Sequence, residues 1–294
     1  MKRIGFWLFK CFAFMVSLTP FPLLYLRSDC YYFVLYHLVR YRRKVVRDNL
    51  LKSFPEKPLE EIKRIEKHFY RNLCDLGVEI CKLTTVKPET LSKHVHFTNP
   101  ELIQDLYEKG RSYFAAIPHS GNWEWYGKLM YRVSDHHASA IYKKLSNPDF
   151  DGFMNRLRMN FNREGEQMIE ARTALKALVR RKGLVNAILI LADQSPRGVA
   201  SDYWTDFLHR DTCWFYGLEK MARRLDYAVV FVEMKRIGRG HYEVGFRLIC
   251  EDPKAMEDGA IMEQYVRHIE RFIQEQPDNW LWSHRRWKHS RQVA

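Results

Sequence analysis

Between residues 112 and 250 short apolar runs alternate with segments of helical period, and few architectures accept that alternation. The runs at 112–117, 138–142, 185–192 and 227–235 have the length and bounds of buried strands. The segments 122–133, 148–162, 171–181 and 218–225 read as helices. Gly238 and Gly240 predict a hairpin turn that returns through 242–250, and a last helix covers 260–274. Strands separated by helices predict an α/β fold, with a mixed central sheet flanked by helices on both faces.

Upstream, Leu59, Ile62, Ile65, Phe69, Leu73, Leu76, Ile80 and Leu83 recur every three or four residues and predict one long helix over 59–83, packed on a core. Lys87 and Pro88 end it, and Thr98, Asn99 and Pro100 open a short helix over 101–108. The first forty residues differ from the rest. Residues 4–26 are mostly apolar but carry Lys10, Pro20 and Pro22, so the uncharged part, 11–26, falls slightly short of the roughly 20 residues of a spanning helix. Lys2 and Arg3 also suit a signal peptide, although no small-residue cleavage site follows. Trp7, Tyr25, Tyr31 and Tyr32, followed by Arg40, Arg42, Arg43, Lys44 and Arg47, favour a helical membrane anchor, spanning or interfacial, with its basic residues on the cytoplasmic side. The expected layout is an anchor over 1–40, a helical region over 41–100 and an α/β domain over 101–294.

The chain carries 48 basic and 35 acidic residues, a net +13, which points to anionic partners; nucleic acid, anionic lipid and acidic carrier proteins all qualify. With 46% hydrophobic residues, disorder is excluded as the general state. Cys11, Cys30, Cys74, Cys81, Cys213 and Cys250 are scattered, without the paired spacing of a zinc site, and read as reduced small hydrophobes.

One pair of residues points to chemistry. His119 follows the strand predicted at 112–117, and Ser120, Gly121 and Asn122 are helix-starting types, so His119 sits at a strand's carboxyl end, with Glu124 in the next helical turn. A carboxylate there suits an imidazole acting as general base. The plainer reading is a structural histidine beside helix-cap electrostatics. Ser120 raises a serine hydrolase, but there is no G-x-S-x-G elbow. Segments 142–148 and 193–198 follow two other strands, and 280–288 mixes aromatic and basic residues, which suits either surface cation–π pairing or anion clamping by arginine.

In chain order these segments resemble the bacterial lipid A late acyltransferases of the lysophospholipid acyltransferase superfamily, over nearly the whole chain. Residues 42–50 (RRKVVRDNL) with 53–56 (SFPE) look like the family's amino-terminal signature, and His119 to Glu124 fit its H-x4-D/E motif. Residues 142–148 are similar to Y-R-x-x-x-N-P, with Lys143 in place of the arginine and Asn147 kept. Asp193 and Gln194 resemble the D-Q/H segment, and 280–288 match the closing W-x-H-R-R-F/W-K. The resemblance implies a glycerolipid acyltransferase-like fold and a membrane-bound O-acyltransferase on the cytoplasmic face of the bacterial inner membrane. It would move a fatty acyl chain from the thioester of acyl carrier protein to a hydroxyl of a phosphorylated glycolipid, a lipid A precursor. No metal, cofactor or nucleic acid is implied.

By the same resemblance His119 takes the hydroxyl proton and Glu124 orients its ring. Lys143, Arg163 or the amides near Ser120 and Gly121 are candidates to meet the oxyanion. Asn122 caps the helix or shapes the pocket, and Asn147, Asp193, Gln194, Arg285 and Arg286 carry over as substrate-side motif positions. The same chemistry on an ornithine-type amino lipid fits the spacing equally. A non-catalytic basic membrane-binding protein accounts for the charge but leaves the placement of His119 and Glu124 unexplained.

Overall fold

The computed structural model describes residues 2–159, 167–196, 203–289 and 291. Among them the strands are β1 (Val95–Phe97), β2 (Tyr113–Ala116), β3 (His137–Tyr142), β4 (Gln167–Glu170), β5 (Asn186–Ile190), β6 (Tyr203–Phe207), β7 (Arg210–Trp214), β8 (Ala228–Gly238) and β9 (His241–Cys250). Seven of these build one sheet in the order β1-β9-β8-β2-β5-β3-β4, while β6 and β7 form a separate antiparallel ribbon. Every neighbouring pair in the large sheet is parallel except β8 and β9, so the sheet is mixed, as the alternation predicts.

The helices are α1 (Lys2–Leu18), α2 (Phe21–Tyr32), α3 (Arg43–Ser53), α4 (Leu59–Lys82), α5 (Pro88–Ser92), α6 (Glu101–Glu108), α7 (Trp123–Leu129), α8 (Pro148–Met159), α9 (Ala174–Arg180), α10 (Gly217–Leu225) and α11 (Ala260–Glu275). They cover both faces of the sheet because its central strands are apolar on both. Phe114 and Ala116 of β2 enter one core with Met221, Ala222, Tyr265 and Ile269 from α10 and α11. Tyr113 and Ala115 enter the other with Trp125, Tyr126 and Leu129 of α7. Period-two alternation thus splits one strand between two cores, which is why β2 reads as an unbroken apolar run. Each large side chain buried this way contributes about 1.5–3 kcal/mol, so the central strands, not the edges, hold the sheet together.

Most predicted elements occur within a few residues of their expected ends. The misses share physical causes. Edge strands β1 and β4, three and four residues long, are too short to show a period, and β1 brings sheet into a region predicted to be helical. The β6–β7 turn uses Leu208 and His209, at φ 49° and 64°. Both are left-handed, yet neither is the Asn or Gly that normally marks such a turn.

The amino-terminal anchor needs correction in its spanning form: no helix of the described residues is long and apolar enough to cross a membrane. Pro20 caps α2 and Pro22 lies in its first turn, so α1 stops at Leu18 after 17 residues. Both helices pack on α4, where Val16 and Leu24 are buried beside Val78, and α1 also buries Phe6 and Ala13 beside Phe153 of α8. Their other sides stay bare. Of the 23 large apolar side chains exposed among the described residues, 14 lie within the first 41 positions, Trp7 (57%) and Leu8 (68%) among them.

Candidate active site

The parallel pairing of β2 with β5 places Ala116 opposite Ile190. His119 and Asp193 each lie three residues further on, so strand register alone brings them level. The His119 Nδ1 is 2.6 Å from Asp193 Oδ1, and the His119 backbone N–H donates to Oδ2 at 2.9 Å. Trp280 Nε1–H donates to the same Oδ2, also at 2.9 Å. Burial opposes charge on Asp193, but the neighbouring His119 ring and these donors outweigh it and hold the carboxyl down at about 2. An ionised carboxylate accepts only, so the proton on the ring belongs on Nδ1. Nε2 is left as the basic nitrogen, and the Gln194 amide lies 3.2 Å from it and donates. His119 keeps 17% of its side-chain surface, against 1% for Asp193: one is presented to the site and the other supports it from behind.

Glu124 stands elsewhere. Its carboxylate pairs with the Arg158 guanidinium of α8, with Nε to Oε2 at 2.8 Å and Nη2 on Oε1. The expectation that Glu124 orients the imidazole is therefore corrected: the partner of the ring is Asp193. The reason is directional. From the first turn of α7 the Glu124 side chain points across to α8, whereas Asp193 is delivered to Nδ1 by the next strand. Breaking a buried pair costs more than forming it gains, about 3–5 kcal/mol, so Glu124 and Arg158 fix each other.

Other predicted positions resolve case by case. Asn122 is fully buried and caps α7, its Oδ1 accepting the Trp125 N–H at 3.1 Å, the capping alternative rather than the pocket one. Asn147 caps α8 through the Asp149 N–H at 2.9 Å, which places it under the helix bearing Arg158. Lys143 is exposed at the cavity rim. Arg163 lies outside the described residues. Arg285 is exposed and Arg286 is 2% exposed, stacked over Trp214 at 4.2 Å; burial lowers Arg286 to about 10 against the pull of Asp193. Neither is among the described residues that line the cavity, so anion clamping there is not their role. Ser120 is fully buried and bridges to Trp280 through its backbone, which removes it as a nucleophile.

What sequence reasoning missed is the role of the closing segment, where residues 277–287 form a strap over the His119 turn. Besides Trp280 it contributes Leu281, whose N–H donates to the His119 carbonyl at 3.0 Å, and Asn279, which takes the Gly121 N–H at 3.2 Å on both its carbonyl and its side chain. Gly121 is required: its φ is +58°, and a Cβ there would lie 2.8 Å from the Met234 carbonyl. The strap is held in turn by the amino-terminal signature. Asn49 Nδ2 donates to the carbonyls of Trp282 and His284 at 2.9 and 3.1 Å, and Arg42 donates to that of Ser283 at 2.9 Å. Burial keeps His284 neutral, at about 4, and its Nε2 accepts the Ser195 N–H at 3.2 Å, joining the strap to the Asp193 loop.

His119, Gln194, Glu124 and Arg158 open onto a cavity of about 1220 Å³. Trp123, Met130, Ala140, Met154 and Leu189 line it on one side of the sheet, Ile141, Ala174, Ile190 and Met221 on the other, and Lys143, Lys144 and Arg172 add positive charge. Small-molecule pockets span roughly 300–1,000 Å³, so this one has room for a long hydrocarbon chain together with part of a second substrate. A histidine whose free nitrogen faces a large, mostly apolar cavity suits an enzyme that acts on a hydrophobic substrate. The chain belongs to the bacterial lipid A biosynthesis acyltransferase family, whose model matches residues 1–289. It is therefore an acyltransferase, and the non-catalytic alternative falls away. No individual curated protein matches the chain.

Proposed function

We propose that the protein transfers a fatty acyl group from an acyl carrier protein thioester to a hydroxyl of a phosphorylated lipid A precursor, with His119 as general base and Asp193 as the carboxylate that orients it. The observation that carries this reading is the 2.6 Å contact at Nδ1, which leaves Nε2 basic and facing the cavity. The acceptor hydroxyl displaces the Gln194 amide from Nε2 and gives up its proton as its oxygen attacks the thioester carbonyl. A C–O bond forms, the tetrahedral oxyanion collapses, the C–S bond breaks, and the leaving thiolate takes the proton back from the imidazolium. Asp193 balances the charge of that imidazolium without accepting its proton. Arg158, locked by Glu124 at the cavity wall, supplies a fixed cation for the oxyanion, and the displaced Gln194 supplies N–H donors.

The exposed faces of α1 and α2 support an interfacial, not spanning, attachment to the cytoplasmic leaflet of the inner membrane, where an acidic carrier and an anionic lipid both meet a basic protein. The test uses purified protein, acyl carrier protein thioesters and a lipid A precursor in mixed micelles, with mass spectrometry of the lipid. His119→Ala removes the added acyl mass, with turnover falling about 10² to 10⁴-fold, and Asp193→Asn also loses most turnover because the ring loses its tautomer. Wild-type turnover by His119→Ala would end the reading.

A further inference from the structure

The turn bearing His119 is pinned from two sides. The strap holds one; on the other stands Glu79, a carboxylate of α4 with no exposed surface. Its Oε2 accepts from Asn122 Nδ2 at 2.8 Å and from the Tyr242 hydroxyl at 2.7 Å, and its Oε1 from the Tyr25 hydroxyl at 3.0 Å. Its backbone carbonyl accepts Trp125 Nε1–H at 3.1 Å, so the side chain and main chain of one residue hold both the cap and the first turn of α7. Asn122 is three residues from His119 and spends its other side-chain atom on the α7 cap. Tyr25 belongs to α2, whose outer face exposes Leu23 and Leu26 beside Arg27 and Asp29. Arg239 stacks on the Tyr25 ring at 5.0 Å and donates to its carbonyl at 3.1 Å, and Gly240 leaves room for the Tyr25 hydroxyl, which a Cβ there would meet at 1.8 Å.

A core carboxylate needs donors, but these donors come from three elements that otherwise have separate tasks. We infer that Glu79 is a positioning residue for the acyl-transfer reaction: through Asn122 it sets the turn that presents His119, and through Tyr25 it joins that turn to the amino-terminal helices. The inference rests on His119 being the base.

The groups facing Glu79 are Tyr25 from α2, Asp75 from its own helix, Arg236 from β8, and Asn122 and Tyr242. The Arg236 guanidinium makes its ion pair with Asp75 at 2.5 Å, and its charge also favours the ionised form of Glu79. Burial pushes the Glu79 carboxyl up to about 7, against the pull of Tyr242, Arg236 and Asn122. A value raised above the ordinary 4.5 means that the folded state holds a proton the unfolded chain gives up. The stability so gained is complete below pH 4.5 and is lost as the pH rises through about 7.

The experiment measures kcat, KM and thermal midpoint from pH 5 to 8.5 for the full chain and for Glu79→Ala, Glu79→Gln, Asn122→Ser and His119→Ala. Glutamine can still accept from Asn122 and meet Tyr25, so Glu79→Gln should keep kcat within about threefold while flattening the fall of the midpoint between pH 4.5 and 7. Glu79→Ala should lose roughly tenfold to a hundredfold in kcat with KM little changed, as expected of a displaced base. Asn122→Ser still caps α7 but cannot reach Glu79, and it carries the test should the alanine variant not fold; its kcat should fall likewise. Wild-type kcat in a folded Glu79→Ala or in Asn122→Ser, with His119→Ala inactive, overturns the role of Glu79 alone. An active His119→Ala overturns the reading beneath it.

Discussion

The two ends of the described chain are built from similar residues and do opposite things with them. The first 41 positions carry Trp7, Tyr25, Tyr31, Tyr32 and the first of a run of arginines, and they leave Trp7 and 13 other large apolar side chains exposed. The strap carries Trp280, Trp282, Trp287, Arg285 and Arg286, and it buries Trp280 to 2% and Trp282 to 0%. An aromatic and basic composition thus serves as a surface at one end and as a core at the other. The deciding factor is the number of side-chain partners the rest of the fold offers to the segment's backbone. Asn49, Arg42 and Ser195 reach the strap main chain and draw it inward, whereas α1 satisfies its own backbone as a helix and turns one face outward.

That contrast can be broken most severely at Trp280. Trp280→Ala should cost about 3–5 kcal/mol of stability, read by chemical denaturation, because it opens a cavity and strips Asp193 of a donor. Trp280→Phe keeps most of the volume and loses only the N–H, so a large kcat loss with a small stability loss would assign the indole to orienting Asp193. Gly121→Ala should cost less, about 1–2 kcal/mol from the left-handed backbone plus the displacement of Met234, with loss of turnover. A fully active, equally stable Gly121→Ala would show that the turn tolerates another shape. At the opposite end, Trp7→Glu with Leu8→Glu should change stability by under about 0.5 kcal/mol and leave turnover in micelles unaltered, while co-sedimentation with anionic vesicles falls. Undiminished vesicle binding would remove that face as the membrane contact.

Much of the sheet is legible in the sequence because β2, residues 187–190 of β5 and residues 228–232 of β8 are continuous apolar runs, and runs of that kind mean burial on both faces. His119 at a strand end is legible for the same reason. Its partner was legible in principle: Asp193 also follows an apolar run, and two parallel neighbours in register would bring both residues to one level. Nothing local identifies β5 as the neighbour of β2, however, and spacing favoured Glu124, five residues away, over Asp193, 74 residues away. Sequence proximity gives no side-chain direction. Arg286 and Asn147 failed in the same way: a motif position marks a residue as required and is silent on whether it meets a ligand, a ring or a helix end.

The strap has one more consequence, for how a damaged copy of this protein would look. A fragment ending between β9 and Trp280 would still carry His119, Glu124, Asp193 and Gln194, and an inspection of motifs would score it as intact. It would lack the indole on Asp193, the amide on the His119 carbonyl and the clasp on Gly121. Those contacts join residues between 87 and about 160 positions apart, so their closure belongs to the slow, late part of folding, when long loops have been closed. Such a fragment would be a catalytic inventory without a catalyst, and competence would be the last property the chain acquires.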